Sequence, residues 1–329
     1  MIALAAAKGA AIAALSVLRV GDAVAAQTPH PSFQPAAAMT VEEFLRLRDG
    51  ATRLRDVLSQ LVIANGYDPR PNSPAAVELQ TFARPQSVHT AHGQAWMLVE
   101  VTADQLTAFL KTVTEPVETV APYTCVRSLL EAAALSCWLL DPDVDAQTRV
   151  GRSIALRYQG MEQQLKWARS AGEDPQKASV LLDNIAKVAT SLGYPPQSTS
   201  HGKRIGAGTP MPAVTELIRD MLGEEPLYRL LSAVAHGHHW AIQKLSFARD
   251  PRQDTLSPIS GEQLRGVTKE PNLMAMGMLA FESALALARV TWYQALYLGW
   301  DRNAVVAVLD SHFHEFGAQQ AVRFWRAST

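Results

Sequence analysis

Cysteine is nearly absent from this sequence of 329 residues, which holds only Cys125 and Cys137. Both lie in one apolar, helix-like run, so they would stand roughly 18 Å apart at 1.5 Å per residue, too far for a disulfide. They read as buried thiols of a reducing compartment, and burial makes them poor nucleophiles. An excess of charge is missing too: 30 basic residues face 31 acidic ones, for a formal net charge of −1. That balance excludes a global attraction to nucleic acid or to an anionic membrane, and any RNA-binding surface has to be local. Polar–apolar alternation long enough for a sheet is lacking, as are internal repeats and sustained heptads. No "GK[ST]" follows the glycines, which excludes a phosphate-binding P-loop. Glu-x-x-His repeats are absent, which excludes a carboxylate-bridged di-iron bundle.

What the chain does have is apolar residues, 48% of the total, in helical spacing. Thr40 as N-cap, with Glu42 and Glu43 in the first turn, starts a helix over 40–65 that ends at the breaker cluster "NGYDPRPNSP". Further helices are expected over 86–117, 121–140, 145–171, 174–192, 213–222, 225–247 and 272–299, with a last one in "DRNAVVAVLDSHFHEF". "AWMLVEV" is a β-prone stretch inside the helix over 86–117. "QSTSHGKRIGAGTPMP" reads as a flexible, locally basic loop, in which Lys203 and Arg204 are the candidate RNA contacts, and 249–271 reads as a breaker-rich segment. The expected fold class is all-α, an irregular helical bundle. Residues 1–38 read as an Ala-rich, disordered extension rather than a signal peptide, because Lys8 interrupts the apolar stretch and Arg19 and Asp22 follow it closely. The chain is accordingly expected in the cytoplasm, with no membrane partner.

Several helices fit for a core carry isolated charges: Arg127 and Glu131, Glu282 and Arg289, and Arg229 with the histidines of "YRLLSAVAHGHHW". An unpaired charge in a core costs several kcal/mol, so these residues must find partners, face solvent or surround a site. A buried ion-pair network is one outcome, with Glu131 expected to pair with Arg149, Arg152 or Arg229. A site is the other. Arg229, Ser232, His236 and His239 fall at i, i+3, i+7 and i+10, one stripe of a continuous helix, with His238 on a different face. Arg229 and His236 would lie about 10 Å apart along the axis, close enough for both to reach one phosphodiester. A histidine can take the proton of a ribose 2′-hydroxyl or give one to a leaving 5′-oxygen, and an arginine fork can hold phosphoryl oxygens. No metal is needed, and the products would be a 2′,3′-cyclic phosphate and a 5′-hydroxyl.

Arg229, the six residues "LLSAVA" and His236 resemble the Arg-x6-His motif of the HEPN superfamily, helical domains with ribonuclease members. "RSLLEAA" and "YRLLSAVAHG" resemble two helices of an uncharacterised bacterial branch of that superfamily. The resemblance covers about 121–300 and implies an HEPN-like core there, preceded by an N-terminal helical region over 39–120 and followed by a C-terminal helix within 301–329. It implies a metal-independent endoribonuclease of bacterial defence or stress, or a degenerate relative; Leu230 stands directly after the arginine, where catalytic members usually carry a polar residue. In that reading Arg229 and His236 are catalytic, Glu131, Arg127, Ser232 and His239 support them, RNA is the substrate, no cofactor is required, and two protomers form a homodimer around a composite cleft. The alternative is a non-catalytic helical interaction protein whose charges serve structure.

A metal site is not expected. His236, His238 and His239, and likewise His312, His314 and Glu315, are close in sequence, but histidines at i, i+2 of a helix do not share a face. Trp292, Tyr293, Tyr297 and Trp300 are expected to pack the bundle, or to line a pocket or dimer face.

Overall fold

A computed structural model describes residues 39–195, 197–198, 204–256, 258, 261, 263–264 and 266–315. The extension over 1–38 and the end of the C-terminal region, 316–329, lie outside the described residues. Eleven α-helices account for most of these residues, and the fold is all-α. They are α1 (Val41–Asn65), α2 (Pro74–Thr81), α3 (Pro85–Thr112), α4 (Ala121–Leu140), α5 (Ala146–Ala171), α6 (Gln176–Ser191), α7 (Val214–Leu222), α8 (Glu225–Ala235), α9 (His239–Leu245), α10 (Leu273–Leu298) and α11 (Arg302–Glu315).

Local chemistry explains most of the boundaries. The Thr40 side chain accepts from the Glu43 amide at 3.2 Å, and the Glu43 carboxylate accepts from the Thr40 amide at 2.9 Å, a closed capping box at the start of α1. Asp145 caps α5 through the Thr148 amide at 2.7 Å, and Asn272 caps α10 through the Ala275 amide at 3.2 Å. The helix α2, unanticipated behind the breaker cluster, starts with Ser73 as N-cap and Pro74 in the first turn. The β-prone "AWMLVEV" is helical within α3, whose buried residues Val88, Ala91, Ala95, Val99, Thr102, Leu106 and Phe109 keep a strict three–four spacing. Packing of that stripe overrides local strand preference.

The helix expected over 225–247 is two helices. Gly237 takes φ +73°, its amide donates to Val234 O, and the His238 amide donates to Ala233 O, both at 2.9 Å. This is a Schellman stop, and it needs the left-handed conformation that glycine adopts without strain. His238 then becomes the N-cap of α9. The buried Tyr123 hydroxyl of α4 donates to Leu245 O at 2.5 Å and ties down the far end of α9.

The breaker-rich segment holds short strands that sequence periodicity does not reveal. β3 (Phe247–Arg249) pairs antiparallel with β6 (Val267–Pro271), and β4 (Thr255–Leu256) with β5 (Gln263–Leu264). A third ribbon joins β1 (Gln197–Ser198) to β2 (Arg204–Gly206).

The main apolar core runs from Phe44 to Phe313 and joins the regions 39–120, 121–300 and 301–315. α4 lies at its centre, packed by α3, α7, α8 and α10. A smaller core of Val88, Val150, Ile154, Leu182 and Ile185 holds α5 and α6 against the start of α3. α10 is long and apolar enough to cross a membrane, and most of it is buried inside the bundle.

Candidate functional site

The predicted stripe is only partly continuous. Arg229, Ser232 and His236 keep helical register, since His236 is the C-cap of α8 and its amide donates to Ser232 O at 2.9 Å. His239 does not share it, because the Schellman stop intervenes and places His239 at the start of α9. Arg229 faces solvent, with its side chain 67% exposed, and pairs with Glu225 one turn earlier on the same helix, Nη2 to Oε1 2.8 Å. Ser232 is half-buried, while His236, His238, His239 and Trp240 are all exposed. The rings of His236 and His238 meet edge to face with centroids 6.4 Å apart.

Among the described residues, Glu131 and Arg127 form no ion pair with Arg229 or His236. Glu131 pairs with Arg127 of its own helix, Nε to Oε1 3.2 Å, and accepts from the Tyr228 hydroxyl at 2.8 Å. The expected arginines have other partners: Arg149 holds Glu78, Arg152 holds Asp141 and Arg229 holds Glu225. The i, i+4 neighbour wins because it needs no tertiary alignment. The Arg127 guanidinium also stands 5.8 Å from the centroid of the Tyr228 ring. Adjacent residues of α8 thus look in opposite directions, Tyr228 into the bundle and Arg229 into water. Lys203 lies outside the described residues, as does the Arg204 side chain.

Glu282 and Arg289 do come together, with Glu224 as a third member. Burial first, then the Glu224 charge, push the Glu282 carboxyl up to about 8, against the opposing pull of Arg289. Burial also raises Glu224. Part of Glu282 reaches the surface, yet its Oε2 is sealed from solvent without a hydrogen bond. Arg289 spends one donor on Met221 O at 3.0 Å. Cys137 is buried and free, and burial pushes its thiol up to about 12; Cys125 is free and half-buried rather than buried.

A second polar group forms away from the predicted stripe. Arg149 is 1% exposed, and its Nε reaches both Glu78 oxygens, at 3.2 and 3.1 Å. Its remaining donors go to the carbonyls of Leu139, Asp141 and Val144. The Tyr297 hydroxyl donates to Glu78 Oε2 at 2.5 Å and makes a short hydrogen bond with His92 Nε2. A phenol has one proton, and here it goes to the carboxylate, so His92 Nε2 carries the proton that it shares with Tyr297. Burial first, then the Arg149 charge, hold His92 down at about 4, and the imidazole is neutral. Burial and Glu78 together keep the Tyr297 phenol far above its ordinary range. The four side chains come from α2, α3, α5 and α10, elements distant in sequence with no shared periodicity.

Among the described residues no three His, Cys, Asp or Glu side chains come together so as to hold a metal ion. No family model matches the chain, and no match to it was found among curated proteins or among solved structures.

Proposed function

We propose that the chain is an HEPN-like, metal-independent endoribonuclease that acts as a two-fold dimer in the cytoplasm, with Arg229 and His236 as its catalytic pair. The observation that carries this reading is the direction of the lone charges. Arg127, Glu131, Glu282 and Arg289 turn toward other side chains of the bundle, whereas Arg229 and His236 stand exposed in continuous helical register. A surface pair such as Arg229–Glu225 contributes at most about 1 kcal/mol, so a phosphate can compete for the guanidinium.

One exposed face has no opposing wall, and a single imidazole cannot stand on both sides of the phosphorus. A second copy supplies both. His236 of one copy takes the 2′-hydroxyl proton as the O2′–P bond forms. The equivalent histidine of the second copy protonates O5′ as the P–O5′ bond breaks, and the arginines hold the non-bridging oxygens. The exposed Trp240 beside the histidines offers a surface on which a base can stack. Lys203 and Arg204 extend the basic contacts. Ser232, His239, Arg127 and Glu131 keep supporting places, the last two by seating Tyr228 and with it α8.

A second reading, a non-catalytic interaction protein, is favoured by Leu230 after the arginine and by the buried Arg149–Glu78 pair, which gives the bundle an ion-pair network of purely structural geometry. The two readings separate in one experiment. Chelator-treated protein is incubated with single-stranded RNA while its mass in solution is measured by sedimentation. The enzyme reading expects a dimer of the 35.8 kDa chain and cleavage that is lost in His236→Ala and Arg229→Ala without loss of folding. A monomer with no cleavage leaves the interaction reading.

A further inference from the structure

A cavity of about 190 Å³ opens between α3, the end of α4 and α10, lined by Tyr67, His92, Gly93, Trp96, Gln294 and Tyr297 together with aliphatic side chains. We propose that this cavity binds a neutral, flat aromatic molecule, about the size of phenol or indole.

Size and lining set the class of ligand. An engineered apolar cavity of about 150 Å³ takes up benzene, so this one has room for a ring with a substituent or a second ring. Among the described residues, no Asp, Glu, Lys or Arg side chain lines it. Glu78 and Arg149 lie behind Tyr297 and are occupied with each other. A charged ligand would lose its hydration here and gain no counter-charge, which selects a neutral one.

Two features look built for occupancy. Tyr67 and Trp96 stand half-exposed at the mouth with ring centroids 4.9 Å apart and planes tilted by 55°. Both give their polar hydrogens to Glu100 Oε1, at 2.8 and 3.2 Å, so the carboxylate holds the two rings in place and leaves their faces for an aromatic guest. Gly93 stands in the interior of α3, where glycine is unfavourable, yet a Cβ there would meet nothing within 4 Å. Neither a left-handed backbone nor a close neighbour calls for this glycine, and its lack of a side chain leaves the cavity wall open.

Calorimetric titration of the full chain at pH 7 with phenol, indole, toluene and benzoate tests the proposal. Phenol, indole and toluene are expected to bind saturably at one site per chain, and benzoate not measurably. Gly93→Leu should fill the cavity and abolish binding. Trp96→Ala, at an exposed position that leaves the core intact, should weaken phenol at least threefold and serves as the second variant if Gly93→Leu misfolds. No saturable binding by phenol, indole or toluene, benzoate binding as tightly as phenol, or binding untouched by both Gly93→Leu and Trp96→Ala would overturn it. The ribonuclease proposal does not depend on the result.

Discussion

Arg149 stands over the Tyr297 ring, with Cζ 4.0 Å from its centroid, while both residues reach the same carboxylate of Glu78. The stack fixes the phenol between Glu78 and His92 and locks α2, α3, α5 and α10 to one another. Removing the acid strands a buried guanidinium. Glu78→Ala should therefore lower stability by about 3–5 kcal/mol, whereas Glu78→Leu combined with Arg149→Met should recover most of the loss. Denaturant melts decide it; a loss under about 1 kcal/mol for Glu78→Ala would show that the pair contributes little.

The pH dependence of stability should carry two slopes of opposite sign. His92 is lowered from 6.5 to about 4, so the unfolded chain takes up a proton first and stability falls as pH drops from about 6.5 to 4, by a little over 1 kcal/mol per unit. Glu282 is raised from 4.5 to about 8, so the folded chain keeps a proton that the unfolded chain has lost, and stability falls as pH rises through that window. Above pH 6.5 the histidine is silent. Melting at pH 6.5 and 8 should then show a loss of at most about 2 kcal/mol in the parent chain and none in Glu282→Gln. A rise in stability over that interval would contradict the assignment.

Two glycines should respond to alanine in opposite directions. Gly237 holds φ +73° in the stop between α8 and α9, so Gly237→Ala should destabilise by about 1 kcal/mol. Gly93 is helical and open-sided, so Gly93→Ala should stabilise by up to about 1 kcal/mol. Paired thermal melts of the two variants read the sign directly.

Glu131 is about one-third exposed, at 33%, and pairs within its own helix. Glu131→Ala should cost about 1–2 kcal/mol, most of it from the stranded Tyr228 hydroxyl and not from a broken buried ion pair. Tyr228→Phe should remove most of the effect of Glu131→Ala in a double-mutant cycle, and additive losses would rule that out.

Legibility follows how local each signal is. Thr40 with Glu42 and Glu43 is read within a single element, and the helix it marks, α1, starts where expected. Gly237 is equally local, but as a helix stop it depends on the chain actually turning left-handed there, and inside an apolar, helix-spaced run it passes for a tolerated interior glycine. The helix α2 carries a readable Ser73–Pro74 start that the surrounding breakers obscure. The Glu78–Arg149–Tyr297–His92 group has no local signature, because its members meet only after four helices have packed. The mouth of the aromatic cavity is partly visible as Trp96 and Glu100 at i, i+4 on α3, but its partner Tyr67 arrives from the loop after α1. Tyr297, expected to pack or to line a pocket, does both.

The most direct measurement of the ribonuclease proposal is the chemistry of the cut ends. Chelator-treated protein should leave single-stranded RNA fragments with 2′,3′-cyclic phosphate and 5′-hydroxyl termini, visible by mass spectrometry, and His236→Ala should leave the RNA intact while melting at the parent temperature. Intact RNA with the parent protein, fragments ending in 3′-hydroxyls, or cleavage unchanged in His236→Ala would contradict it.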